Sequence, residues 1–346
     1  MKPSYIKSKF RAISCASLLI LFFSIFNAPL ATASSSSEGE EFNASDVILH
    51  HVMDDHIWHF FDGHYGTLYL PVIVYSSEKG VEFFSSSNFY DEDHNLKPHN
   101  GYVLEHNHIT LEGNSEAHVW DFSITKTVLM MFINAAALLL VFLAVAKAYK
   151  RNPNKAPKGL QSFIEPIIIF VRDEVAKPNI GAHYEKFMPF LLTLFFFILF
   201  GNLLGLIPGA ANLTGNIAIT LSLALFTFVI TNINGNKHYW KHIFWTPGVP
   251  LPLKIIIVPV EILGIFTKPF SLTVRLFVAI TAGHIVMLAL ISLVFIFRSY
   301  YVGIGSTLIV LFISLIELLV AAIQAYVFTM FSALYIGMAT EEHHDH

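Results

Sequence analysis

The chain has 346 residues, 54% of them hydrophobic and only 13% charged, and its mean hydropathy is +0.59. A water-soluble fold of this length cannot bury so much apolar surface, whereas a bilayer solvates it directly. The net charge of −4 offers nothing to a nucleic-acid partner, and a single cysteine, Cys15, excludes intrachain disulfides.

Residues 1–33 read as an export signal. Lys2, Lys7, Lys9 and Arg11 precede a short apolar core at 18–26, and Ala31-Thr32-Ala33 offers a small-residue cleavage site. The core is shorter than the ~20 residues a membrane span needs. Residues 34–122 form a polar segment, expected outside the cytoplasm, that holds ten of the seventeen histidines. Residues 67–75 and 81–84 are strand-like, being rich in β-branched and aromatic side chains. Imidazoles suit zinc or copper, but these spacings match no dense ligand motif. The segment therefore reads as a small capping domain with solvated histidines and no metal.

From residue 123 to 340 the pattern is that of an all-α polytopic membrane domain. The first span, 128–146, ends at Lys147, Lys150, Arg151, Lys155 and Lys158, a basic cluster that marks the cytoplasmic side. Residues 159–175 mix apolar residues with Glu165, Arg172, Asp173 and Glu174, which fits a helix lying on the membrane face. Two uncharged spans follow, 187–207 closed by Pro208-Gly209, and 217–233. Lys237, Lys241 and Lys254 then return the chain to the inside. Two longer apolar stretches, 255–297 and 306–339, would run roughly 65 and 50 Å as helices. The bilayer core is only ~30 Å thick, so they form a strongly tilted hairpin. The joint at 298–305 carries the turn signals and faces outward, and residues 341–346 form a cytoplasmic tail. About five membrane helices result, and no internal repeat stands out.

The chemistry lies in the polar residues of that hairpin: Glu261, Lys268, Arg275 and His284 on the first helix, Glu317 and Gln324 on the second. An ionisable group at membrane depth costs several kcal/mol unless it is paired or faces water, so its default reading is function. Glu261, Lys268 and Arg275 are spaced by seven and share a face. His284 lies nine residues past Arg275, about 180° around the helix. Folding the hairpin at Tyr300-Tyr301 sets His284 level with Glu317, and Arg275 nearly level with Gln324. An imidazole beside a carboxylate can exchange protons at accessible pH. Arginine cannot release its proton, and as a fixed charge in the path it blocks leakage. The chain holds no second buried carboxylate suited to face Arg275, so a partner subunit must supply one.

The run Pro269-Phe-Ser-Leu-Thr-Val-Arg-Leu-Phe277, followed by Ala282-Gly283-His284, resembles the signature of the ATP synthase a subunit family. Asn202-Leu-Leu-Gly-Leu-Ile-Pro208 and Gln324-Ala-Tyr-Val-Phe328 resemble two further segments of that family, in its order. The resemblance covers residues 124–339 and not the exported segment. It implies that Arg275 opposes the carboxylates of a rotating c-ring and that His284 and Glu317 form the buried pair of an outer half-channel. It also implies that Gln324 orients the arginine and that Glu261 is the acid of a cytoplasmic half-channel. The implied partners are the c-ring, the b subunit of the peripheral stalk and the rest of the synthase. The implied location is the bacterial inner membrane, with the N-terminus outside and the C-terminus in the cytoplasm. Val278-Ala279 stand where many relatives carry Gly-Asn, so an amide that orders channel water is missing. No G-x-x-x-x-G-K-[ST] loop occurs, so the chain is not expected to be catalytic by itself or to hold a cofactor. A stand-alone transporter or channel is the alternative, although repeated halves and broken helices are not seen. Proton and sodium coupling stay open at this point.

Overall fold

The computed structural model describes residues 53–59, 66–91, 96–105, 107–112, 119–151, 156–207, 209–245 and 250–341. The expected signal segment, six of the ten clustered histidines and the tail beyond Glu341 lie outside the described residues. The described residues divide into two compact units, one within 56–123 and the other comprising 53–55 with those of 124–341.

The first unit is made of short antiparallel strands: β1 (Ile57–His59), β2 (Thr67–Tyr69), β3 (Pro71–Ser76), β4 (Gly80–Ser85), β5 (Tyr102–Glu105), β6 (His108–Leu111) and β7 (Val119–Asp121). β1 pairs with β2, β5 with β6, and β3 lies between β4 and β7. The two-residue period of a strand sends Val72, Val74 and Ser76 to one face. There Val72 and Val74 join Phe84, Phe89, Tyr102, Leu104, Ile109 and Leu111 in a small core. The expectation of solvated histidines is corrected at one position. His56 is only 2% exposed, and its Nε2 lies 2.9 Å from Oδ2 of Asp121. Burial alone would raise the Asp121 carboxyl, but hydrogen bonds from His56 and Ser123 outweigh it and hold the group below its ordinary value.

The second unit is helical: α1 (Lys126–Arg151), α2 (Leu160–Phe170), a π turn (Val171–Ala176), α3 (Lys177–Ile180), α4 (Tyr184–Gly205), α5 (Ile217–Ile233), α6 (Lys237–Phe244), α7 (Leu251–Phe297) and α8 (Tyr300–Thr340). Four helical runs among the described residues are long and apolar enough to span a bilayer, or five if the pair α5 and α6, bent by 102°, counts as one. A remote aspartate caps α1. Oδ1 of Asp54 accepts from the Thr127 backbone N–H (3.1 Å) and hydroxyl (2.7 Å), and Oδ2 accepts from the Thr125 hydroxyl (2.8 Å). An acid there satisfies orphan N–H groups and complements the helix dipole.

Two boundaries differ from those read in the sequence. The segment at 159–175, expected as a separate surface helix, continues through the π turn, and Val171, Val175 and Ala176 are fully buried in the helical core. The charges of the π turn stay at its margin, where Asp173 pairs with Arg172 and Lys177. The joint expected to face outward is two residues, Arg298 and Ser299, rather than 298–305. Arg298 takes the left-handed conformation (φ +45°) that ends α7, and Gly303 and Gly305 lie inside α8. Glycine lowers helix propensity by only about 1 kcal/mol, which an apolar 41-residue helix easily absorbs.

α7 and α8 are antiparallel neighbours, and α8 also packs on α3, α4 and α5. Small residues make this contact close: Ala321, Ala325, Ser332, Ala333 and Gly337 of α8 are all buried. At Gly337 the carbonyl of Asn179 approaches so closely that no side chain fits. Polar side chains tie the helices as well. The Asn202 amide donates to the Ala321 carbonyl (3.3 Å), the Thr227 and Ser332 hydroxyls bond (3.1 Å), and the Asn236 amide donates to the Thr340 carbonyl (2.8 Å).

Candidate functional site within the long hairpin

Near the turn between α7 and α8, His284 Nδ1 lies 3.8 Å from Glu317 Oε1. Neighbouring contacts keep the same register, with the Ser314 hydroxyl on the Met287 sulfur at 3.4 Å and Gly303 against Val294. Glu317 is only 3% exposed, and neither carboxyl oxygen has a hydrogen-bond partner among the described residues. A carboxylate so placed must be neutralised, by a proton or by an imidazolium beside it. The glycine before His284 has a steric role: a Cβ at Gly283 would fall 2.8 Å from Glu317 Oε1. Only a residue without a side chain lets the carboxyl lie against α7 at this point.

One element of this site escaped the sequence reading. Asn202 clamps α8 one turn past Glu317 by donating to Ala321, and its Oδ1 accepts from the buried Thr214 hydroxyl at 2.7 Å. The signal was present, because Asn202 is an amide in an otherwise uncharged apolar run, which is costly unless bonded.

Farther along α7, the Arg275 guanidinium lies 4.2 Å from the centroid of the Phe331 ring. Expected nearly level with Gln324, it makes no hydrogen bond to that amide among the described residues. Helical side chains tilt toward their own N-terminus. On antiparallel helices, Arg275 therefore reaches along α8 toward its C-terminal end and meets the ring two turns past Gln324. Lys268 repeats the pattern, its ammonium 5.3 Å from the Tyr335 ring centroid. The two rings are adjacent, 6.0 Å between centroids, and form an aromatic rail under both cations. Glu261 is near enough to act electrostatically on Lys268 and on Tyr239. A cavity of about 10 Å³ lies among Thr227, Thr231, Tyr239, Lys268, Leu272 and Tyr335. That is roughly the room a single water needs.

Val278 is half exposed on α7, and Ala279 beside it, where many relatives carry the amide, is partly buried. Among the described residues no group of three or more His, Cys, Asp or Glu could hold a metal ion.

Comparison with known proteins identifies the family. A family model for the ATP synthase A chain matches residues 128–337, and a domain of unknown function (DUF8433) matches residues 47–127. ATP synthase subunit a of Chloroherpeton thalassium is 50% identical over 233 residues, 66% of this chain and 69% of that protein. ATP synthase subunit a 2 of Prosthecochloris aestuarii is 43% identical over 317 residues, covering 90% of this chain and 84% of its own. The subunit a of an Anaeromyxobacter species is 39% identical over 323 residues, 91% and 75% of the two chains. With the family model matched over residues 128–337 and with relatives this similar along most of its length, the chain belongs to the ATP synthase subunit a family.

Proposed function

We propose that this chain conducts protons through the membrane sector of an ATP synthase, by two half-channels that meet a ring of partner carboxylates at Arg275. The observation that carries the reading is the division of labour along α7. A buried Glu317 lies beside His284 at one level, and a cation that cannot lose its proton springs from α7 nine residues earlier, about 13 Å along the helix axis.

In this reading protons arrive from the outer side at the His284–Glu317 pair, which passes them to a carboxyl group of the c-ring. The neutralised carboxyl moves into lipid as the ring turns. A carboxyl that has discharged through the inner path, past Glu261 and Lys268, meets Arg275 as an anion. The guanidinium attracts that anion and repels a free proton, so the two half-channels do not short-circuit. Gln324, on the face of α8 that bears Phe331, is free to join Arg275 when the partner carboxylate draws the guanidinium away from the ring. The b subunit holds the chain against the turning ring. The basic residues Lys147, Lys150 and Arg151 support a cytoplasmic position for that end of α1, as positive charge favours the inner side. The subunit carries ions and leaves ATP chemistry to other subunits.

Arg275→Ala tests the reading. In membranes that still contain the assembled complex, ATP-driven proton pumping should vanish. Wild-type coupling in that variant would overturn the proposal.

A further inference from the structure

Of the three-stranded sheet in the first unit, only one face is used by its core. Val72, Val74, Ser76 and Phe84 point inward, as the alternation of β3 and β4 requires. The opposite face carries six apolar side chains in two cross-strand rows. Phe83 pairs with Ile73, whose carbonyl accepts from the Phe122 backbone N–H, giving the row Phe83–Ile73–Phe122. Tyr75 pairs with both Val81 and Trp120, giving the row Val81–Tyr75–Trp120. Phe83 is 72% exposed, Val81 71%, Phe122 64% and Trp120 52%.

A water-facing antiparallel sheet normally carries polar residues at such positions. A contiguous aromatic and aliphatic patch marks an interaction surface instead. The chain itself says what covers it. Phe122 is four residues before Lys126, the first residue of the membrane-spanning α1. Four residues reach at most about 14 Å even when fully extended. The headgroup layer on each side of the hydrocarbon is itself ~5–8 Å thick, so the near row cannot leave the vicinity of the lipid surface. Its composition suits that place, since Trp and Tyr concentrate at membrane–water interfaces, with an apolar body and a polar tip. None of the six side chains is charged, so the surface they fit is defined by its apolar depth rather than by its charge.

We propose that the β4–β3–β7 sheet docks by this face on the lipid surface at the α1 N-terminal end of the span. The patch seats Phe83, Phe122 and Trp120 at the headgroup–acyl boundary, as an aromatic anchor separate from the membrane helices. Docking needs no anionic lipid and does not weaken with salt.

The test uses the full chain, with Cys15→Ser, in phosphatidylcholine nanodiscs. A spin label is attached at Phe83→Cys, at Val81→Cys, or at Lys97→Cys, an exposed control outside the patch. Collision with oxygen, which concentrates in lipid, should exceed collision with a water-soluble nickel complex several-fold more at positions 81 and 83 than at 97. The ratio should be unchanged between low and high salt. Trp120 fluorescence, isolated by difference from Trp120→Phe, should be quenched by brominated phosphatidylcholine. Water-like collision at 81 and 83 together with unquenched Trp120 would overturn the proposal. Labels shielded from both relaxants would overturn it too, because a protein partner would then be covering the face.

Discussion

The two polar levels of the α7–α8 hairpin solve the problem of charge in a membrane differently. At the His284–Glu317 level an imidazole and a carboxyl, both able to carry a proton, lie side by side, and Gly283 leaves room for the carboxyl. At the Arg275–Lys268 level the cations rest on the faces of Phe331 and Tyr335, and no acid bonds Arg275 among the described residues. The first arrangement lets charge come and go by moving a proton. The second preserves a positive charge at low cost, since an aromatic face attracts a cation without neutralising it. A cation held this way stays available to an anion brought from outside the chain.

The sharpest break of that contrast is Arg275→Lys. An ammonium keeps the charge but can lose its proton and is compact and strongly hydrated. Pumping in assembled membranes should therefore be lost as completely as in Arg275→Ala. A lysine variant that couples normally would mean that charge alone matters at this level.

The titratable level should respond next. His284→Ala or Glu317→Gln should slow proton flux by roughly tenfold or more, as loss of a positioned acid or base does. The double exchange His284→Glu with Glu317→His keeps one acid and one base in contact and should recover part of that loss. Proton flux in the exchange below both single variants would separate the two residues into independent sites.

A smaller effect is expected from the aromatic support. Phe331→Leu removes about 1–2 kcal/mol of cation–π attraction and should lower coupled pumping several-fold, while Phe331→Tyr should keep it. Equal pumping in the Leu and Tyr variants would reduce the ring to packing.

The least effect belongs to Gly283→Ala. The added methyl meets the far end of a side chain that can shift, so flux should fall only a few-fold. Combining it with Glu317→Asp, which withdraws the carboxyl by one methylene, should not lower flux further. Additive losses would show that Gly283 serves α7 rather than the carboxyl.

The sequence made the hairpin and the His284–Glu317 juxtaposition legible because both follow from one turn and one helical period. The site was less legible wherever side-chain direction or a third helix decides. Residue numbering sets Arg275 nearly level with Gln324, but the lean of a long side chain carries it to Phe331. Asn202 and Thr214 joined the site through α4 and its following loop, a packing that periodicity does not encode. The glycines at 303 and 305 read as a turn because their local preference is weak, and the helix pairing of α8 with α7 overrides it. His56 looked solvated because only the fold brings it to Asp121, sixty-five residues away.

The close approach at Gly337 works as a mechanical key. With the Asn179 carbonyl seated in the notch that the missing side chain leaves, α8 cannot slide along its axis without first lifting off its neighbour. A slip of one residue would move every group on α8 by about 1.5 Å and rotate it by about 100°. Glu317 would then lose His284, Phe331 would lose Arg275, and Gln324 would leave the face they share, all together. One notch near the end of the helix thus sets the insertion depth of all three, and filling it with even the methyl of Gly337→Ala should lift α8 off Asn179 and loosen its resistance to an axial load.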